Sequence, residues 1–242
     1  MSNTKLKNYD WNQVVNLPKS DALIEKQIIN YYSRVSHFNN DTDATLFVEK
    51  HLSEAKAFDL DAEVFKFASD QVTVDGEYLE FGVCTGRTIN FISALNPRKK
   101  VYGFDSFEGL PEKWERPDLV IPMGTFALKD KNFAPPVHRN VELVPGLFSD
   151  TLPLFKKDIL KDKPIAFIHI DCDLYSSTAD VFSNLKDNII KGTIILFDEL
   201  YNYPGYEDNE FKALTEFLDY SGKKAEYLAF NQYVGQVVVR IM

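Results

Sequence analysis

Two cysteines in 242 residues, Cys84 and Cys172, exclude a disulfide scaffold and a four-thiolate zinc site. No run approaches the roughly 18 apolar residues that a membrane helix needs. Met1 to Tyr9 is polar and lacks the apolar stretch of a secretory signal, so no membrane partner is expected and the expected compartment is the cytoplasm. Positive charge is scarce: 27 Lys and Arg against 36 Asp and Glu leave a net charge of -9, which argues against a nucleic-acid partner held by a general excess of positive charge. Glycine is absent from Met1 to Asp75, and Pro18 is the only proline there. That third of the chain carries few breakers and reads as helical.

Against these absences stand 19 Phe and 12 Tyr in a chain that is 45% hydrophobic and 26% charged, the balance of a globular protein with ample core. The length suits one large domain, or a domain with a modest appendage. Ile24, Ile28, Tyr31, Tyr32 and Val35 follow one helix face that Ser20 can cap. Leu46, Val48, Leu52 and Ala55 suggest a second helix, and Val64, Phe65 and Ala68 a third. The polar stretch His37 to Thr45 between the first two reads as a loop or lid.

After Gly76 the texture changes to short apolar runs. Glu77 to Val83, Lys100 to Asp105, Val141 to Pro145, Ile165 to Asp171 and Thr193 to Asp198 are strand candidates, and helical patterns over Arg87 to Leu95, Thr178 to Ile190 and Glu207 to Tyr220 follow three of them. Apolar strands alternating with helices indicate an α/β fold, its parallel sheet buried on both faces. Ala225 to Phe230 and Gly235 to Ile241, joined through Asn231, fit a terminal antiparallel hairpin and bring the strands to seven. The organisation expected is a helical cap over residues 1–75 and an α/β domain over residues 76–242. Phe107 to Pro136, with five prolines, is the longest irregular connection and a candidate active-site loop.

In an open parallel sheet, ligands bind outside the carboxyl ends of the strands. Four of the five ends here carry acids: Glu80, Asp105, Asp171 with Asp173, and Asp198 with Glu199. Glu80 to Gly86 runs from a strand into a glycine turn, where Gly82 and Gly86 allow close backbone approach; small residues needed only for packing would look the same. Asp105 lies at the end of the next strand, where an acid holds ribose hydroxyls, a spacing that serves a dinucleotide or S-adenosylmethionine. Cys84 replaces the glycine expected against a pyrophosphate, and an acid at Glu80 suits a cationic ligand. For Asp171, Asp198 and Glu199 the electrostatics leave three outcomes. Carboxylates about 4 Å apart repel by roughly 4 kcal/mol at an effective dielectric of 20, so such a group protonates, spreads apart or binds a cation such as magnesium, calcium or manganese. Alternatively Asp171 and Asp173 only begin a turn, with Ser176 or Ser177 capping the next helix.

Four segments together resemble the macrocin O-methyltransferase family: Glu80 to Arg87, Asp105 to Pro111, Phe148 to Pro153, and Asp171 to Thr178. The resemblance covers the chain from about Glu77 onward. It implies a class I methyltransferase (Rossmann-like) fold, S-adenosylmethionine as methyl donor, a divalent cation, usually magnesium, and a sugar hydroxyl as small-molecule acceptor. Glu80 and Gly82 then belong to the donor pocket, Asp105 holds the ribose with Ser106 beside it, and Ser149 and Asp150 lie by the adenine. Asp171 becomes a metal ligand and the leading candidate for general base, and Asp198 and Glu199 fall on the family's paired acids. The family has Asp-Asp-Tyr there; this chain has Asp198-Glu199-Leu200. The family pattern also implies a homo-oligomer, with the N-terminal segment choosing the acceptor.

Two alternatives stand beside this reading. An NAD(P)-dependent short-chain-type oxidoreductase needs a Tyr and a Lys four apart on one helix, and Tyr220 and Lys224 have the spacing, with Gly222 between them. A catalytically silent binding protein on the same fold is the other. Among single residues, His169 reads as a packed core histidine, His37 and His51 as surface, and Cys84 as packing without a nucleophilic role. Tyr175 either contacts substrate or packs a helix start, and Lys5, Lys7, Lys99 and Lys100 read as solvated charges. Phe38, Trp114 and Phe126 are candidates to line an acceptor pocket.

Overall fold

Every second side chain along a strand faces the same way, so an unbroken apolar run supplies two core layers at once. The computed structural model describes residues 42–128 and 134–242. Strands β1 (Lys56–Phe58), β2 (Glu77–Phe81), β3 (Val101–Asp105), β6 (Val141–Pro145), β7 (Ile165–Ile170), β8 (Ile189–Phe197), β9 (Ala225–Asn231) and β10 (Val237–Ile241) form one sheet in the order β1-β9-β10-β8-β7-β2-β3-β6. Strands β6, β3, β2, β7 and β8 run parallel, and β10 enters antiparallel between β8 and β9. The short pair β4 (Trp114–Glu115) and β5 (Val120–Ile121) forms a separate hairpin within the Phe107 to Pro136 connection.

On one face Leu79, Phe81, Phe104, Ile168, Ile170 and Phe197 pack under α4 (Phe148–Phe155), α5 (Tyr175–Leu185) and α6 (Glu210–Ser221), through Phe155, Phe182 and Phe217. On the other, Tyr78, Val101, Phe167, Ile194 and Leu196 pack under α2 (Asp61–Asp70) and α3 (Arg87–Leu95), through Phe65, Ile89 and Phe91. Each of these large side chains contributes about 1.5–3 kcal/mol on burial. Ahead of them, α1 (Thr42–Phe47) runs on into a π-helical turn at Val48–Leu52, and Phe47 inserts among Tyr201, Tyr206 and Phe211. No helix among the described residues is long and apolar enough to cross a membrane.

Several boundaries differ from those expected. The sheet has eight strands where seven were expected, because Lys56–Phe58 pairs parallel with Ala229–Asn231 at one edge. Three residues carry no readable pattern, so that strand exists through its partner alone. The helix expected to reach Ile190 ends at Leu185: Asn188 donates to the carbonyls of Lys161 and Lys163, both at 2.8 Å, and Ile189 already pairs with Ile165. A helix at Phe148–Phe155 joins those read from the sequence. His51 is half-buried, its ring packed on Phe47, Phe211 and Tyr227, where a surface position was expected. The helix over Ile24 to Val35 with its Ser20 cap, together with His37, Phe38, Lys5 and Lys7, lies outside the described residues.

The fold also contains a pH-sensitive joint. His138 precedes β6 and is buried against α3, with Ser93 Oγ 2.6 Å from Nδ1 and its own N–H donated to Asn90 Oδ1 at 2.9 Å. Burial pushes its pKa down to about 4. Below about 6.5 the unfolded chain takes up a proton that the folded chain refuses, so this group removes stability as pH falls from about 6.5 towards 4. The full effect is about 3 kcal/mol. Thermal unfolding of wild type and His138→Gln across that range should show the variant losing less stability than wild type; parallel curves would refute the assignment.

Candidate active site

The carboxyl ends of β2, β3, β6, β7 and β8 open on one cavity of about 520 Å³. It is lined by Gly82 and Cys84 after β2, Asp105 and Ser106 at the end of β3, Gly146 to Ser149 after β6, Asp171 to Asp173 after β7, and Asp198 and Glu199 after β8. Non-glycine residues adopt left-handed backbone beyond four of these strands: Cys84 (φ 46°), Phe107 (φ 56°), Asp173 (φ 63°) and Asn202 (φ 69°). Such conformations cost of order 1–3 kcal/mol each and collect where a site dictates the backbone.

One half of the cavity is built around the glycine turn. Gly82 has φ 94°, and a Cβ there would sit 1.7 Å from the carbonyl oxygen of Asp171, so the β2 turn lies directly on the β7 strand end. Asp105 Oδ2 accepts the N–H groups of Val83 (2.9 Å) and Cys84 (2.7 Å), and Oδ1 that of Phe107 (2.7 Å). A carboxylate has about four acceptor sites, which leaves about one for a ligand hydroxyl. Ser106 Oγ accepts from Glu108 N and donates to Gly109 O, holding the start of the long loop. Ser149 lines the cavity at the start of α4; Asp150, next to it, is exposed and does not. Glu80 lies behind the wall: its carboxyl is fully buried, accepts from Thr88 Oγ1 at 3.0 Å and lies 3.2 Å from His169 Nδ1. Burial raises its pKa, opposed by those two partners.

The other half is acidic. Ligand atoms of His169, Asp171 and Asp198 lie within 4.8 Å of one another, a spacing that suits a cation. Burial, and then Asp198, Asp173 and Glu199, hold Asp171 well above the usual carboxylate range. Burial lifts Asp173 to about 6, although a hydrogen bond with Glu199 and the charge of Arg116 pull the other way. Burial and the neighbouring acids raise Glu199 strongly. The longer Glu199 side chain thus meets Asp173, while Asp171 and Asp198 converge with the ring of His169. A dication fits this set: buried carboxyls with raised proton affinity are groups that a positive charge would relieve.

The sequence places Asp173 beside Asp171 among the acids at the strand ends, or at the start of a turn, without assigning it a role in the site. Its left-handed backbone, which aims it into the cavity beside Asp171, depends on contacts absent from the linear chain. His169 is fully buried. Phe126 lines the cavity, whereas Trp114 is buried under the β4–β5 hairpin against Arg116 and Tyr203. Burial and Asp105 raise the Cys84 thiol, which argues against a thiolate nucleophile. Tyr175 turns from the cavity to donate to Glu216 Oε2 at 2.7 Å. Neither serine caps α5, whose N-cap is Leu174; Ser176 Oγ donates to Glu112 Oε1 instead. Lys99 and Lys100 pair with Asp75 and Glu142. Tyr220 and Lys224 are not on one helix face, because α6 ends at Ser221 and Gly222 closes it in left-handed conformation.

A model of the macrocin-O-methyltransferase (TylF) family matches residues 58–220. The chain is 30% identical over 148 residues to the 8-demethyl-8-(2,3-dimethoxy-alpha-L-rhamnosyl)-tetracenomycin-C 4'-O-methyltransferase of Streptomyces olivaceus, covering 52% of this chain and 53% of that protein. It is 29% identical over 168 residues to the demethyldecarbamoylnovobiocin O-methyltransferase of Streptomyces niveus, covering 60% and 62%. The chain therefore spans between half and two thirds of the length of these curated relatives. Among solved structures it shares its fold with the calicheamicin methyltransferase CalS11, at a TM-score of 0.58 and 21% identity over 96% of this chain and 97% of that one. NovP, an O-methyltransferase, matches at 0.53 and 21% over 74% and 78%. The fold is thus the class I methyltransferase type that the sequence motifs implied.

The contact of Gly82 with Asp171 yields a prediction. Gly82→Ala places a methyl group inside the Asp171 carbonyl and forces alanine to a positive φ, two effects costing of order 1–3 kcal/mol each. Thermal unfolding should show the loss, and calorimetry should show weakened S-adenosylhomocysteine binding. A variant with unchanged stability and affinity would contradict the packing described.

Proposed function

The chain belongs to the macrocin-O-methyltransferase family, and on that premise we propose that it is a cytoplasmic enzyme transferring a methyl group from S-adenosylmethionine to a sugar hydroxyl, with a divalent cation at the strand ends. The observation that carries this reading is the direct seating of the glycine turn on the acidic strand end, Gly82 against Asp171. It brings a donor site and a proton-accepting site into one cavity. A glycosyl group is the acceptor class because the tetracenomycin relative is named for a rhamnosyl 4'-hydroxyl.

The transfer forms a carbon–oxygen bond as the carbon–sulfur bond breaks, leaving S-adenosylhomocysteine and one proton to be removed from the hydroxyl. Asp105 accepts a ribose hydroxyl while its other oxygen sites hold the turn in shape. Gly82 lets the donor turn close onto the Asp171 strand end while its backbone lines the donor side of the cavity, and Ser149 flanks the adenine side. Glu80 acts from behind this pocket as a buried acid rather than by direct contact. Asp171 and Asp198, whose ligand atoms converge, are the candidate cation holders, and magnesium or another hard dication suits their oxygens; Glu199, bonded to Asp173, would have to leave that partner to join them. When bound, such an ion orients the acceptor oxygen and lowers its proton affinity. Asp171 is the leading group to take the proton, since burial among acids has raised its proton affinity. Asp173, lifted to about 6 and lining the same cavity, is a second candidate acceptor. Residues 76–242 then carry donor and cation chemistry; residues 56–70, expected in the N-terminal cap, belong instead to the α/β layers as β1 and α2. A homo-oligomer, as the family pattern implies, belongs to the same reading.

Two measurements test this. Chelation should lower methyl transfer to a glycoside acceptor by at least about 100-fold, with recovery on adding magnesium; full activity in chelator removes the cation from the mechanism. Asp171→Asn should lower kcat by about 10²–10⁴-fold while S-adenosylhomocysteine still binds, and undiminished turnover would eliminate Asp171 as base. Donor binding without turnover across a broad acceptor panel would favour the silent binding protein instead.

A further inference from the structure

Asp198 is nearly buried, beside Asp171, Asp173 and Glu199. Repulsion alone would turn such a carboxylate away from its neighbours, yet it lies with Asp171 and His169 at cation-binding spacing. A group that opposes this rotation comes from the C-terminal hairpin. Gln236, wholly buried, donates from Nε2 to Asp198 Oδ1 at 2.7 Å. Because a carboxylate only accepts, the carboxamide must present its NH₂ to Asp198, which leaves Oε1 towards Asn231 Nδ2 at 3.5 Å.

We propose that Gln236 is a positioning residue for the cation site, holding the Asp198 carboxylate towards Asp171 before any cation arrives. The proposal rests on the reading of these acids as cation holders. Gln236 has the rigidity the role needs. The backbone of Asn231 donates to Gln236 O at 3.0 Å, and Asn231 O accepts from the Tyr201 hydroxyl at 2.8 Å. Asn231 Oδ1 in turn accepts the N–H groups of Tyr233 and Val234, which closes the β9–β10 turn. Gly235, next to Gln236, lies so close to the chain after β8 that a Cβ would come within 2.6 Å of Tyr201 O and 2.9 Å of Glu199 Cα; its carbonyl accepts from Leu200 N at 2.9 Å. The hairpin is thereby pressed onto the segment that bears Asp198 and Glu199. A neutral amide also suits the task better than a lysine or arginine would, since it supplies a donor without adding a positive charge that repels the incoming ion.

The test is calorimetric titration of magnesium and of manganese into wild type, Gln236→Met and Gln236→Leu, with no donor or acceptor present. Both variants should bind the ions about 10–100-fold more weakly, the range for losing a partner of a metal ligand, while S-adenosylhomocysteine affinity stays within about twofold. Unchanged metal affinity in a folded variant overturns the proposal, and so does an equal loss of S-adenosylhomocysteine affinity, which would mark a general structural role. Should both variants fail to fold, the side-chain amide signals of Gln236 in ¹⁵N-labelled wild type decide: they must shift on magnesium saturation, and their indifference overturns the proposal. A wild type that binds neither ion fails at the cation reading itself, an outcome distinct from one in which wild type and variants bind alike.

Discussion

Mutual repulsion among the carboxyls at the ends of β7 and β8 is the constraint on which the rest of the architecture depends. Asp171, Asp173, Asp198 and Glu199 are gathered where a parallel sheet ends, largely out of water, and the raised proton affinities of Asp171, Asp173 and Glu199 are the direct consequence. Such a group persists only if the elements bearing it are bound tightly enough to resist the repulsion. The two-sided apolar core supplies that rigidity, with β7 buried along its whole length between β2 and β8. The same crowding makes the site receptive to positive charge, so what burdens the fold also defines its chemistry.

Neutral groups do much of the restraining. Backbone N–H donors shape Asp105, and a carboxamide holds Asp198. Arg116 is the charged group near Asp173, and it is stacked on Tyr203 and tied to Asp118. Within the described cavity wall, acids outnumber bases entirely, which suits a cationic sulfonium donor and a dication. Glu80 shows the other use of an acid in this fold. Buried behind the wall with Thr88 and His169, it bonds the strand to the helix that follows and joins β2 to β7 across the sheet.

The motifs at the strand ends were legible because their parts are close in sequence and their residue types are restrictive. Gly82, Asp105, Asp171 and Asp198 fall where an apolar run gives way to a turn, and all four line the cavity. Side-chain direction was less legible. Glu80 occupies a strand position whose face is set by pairing with β7, so it turns into the core. Glu199 offers the same carboxyl as an aspartate one methylene further out, and only its surroundings direct it to Asp173. The edge strand β1 and the aromatic seat of His51 likewise arise from partners supplied by β9, α1 and α6.

Composition and order along the chain by themselves determined a globular α/β protein with acids at its strand ends and the motif set of one methyltransferase family. These follow from local rules: apolar periodicity, glycine's backbone freedom, and the way parallel strands deliver their carboxyl ends to one edge. Tertiary structure alone decided which acids converge, which turn away and which are held from behind. The hydrogen bond from Gln236 to Asp198 spans 38 positions, and Gly82 rests on Asp171, a residue of a different strand. Contacts at such separation depend on how β2, β7, β8 and β10 lie side by side, and that adjacency exists only once the sheet has formed.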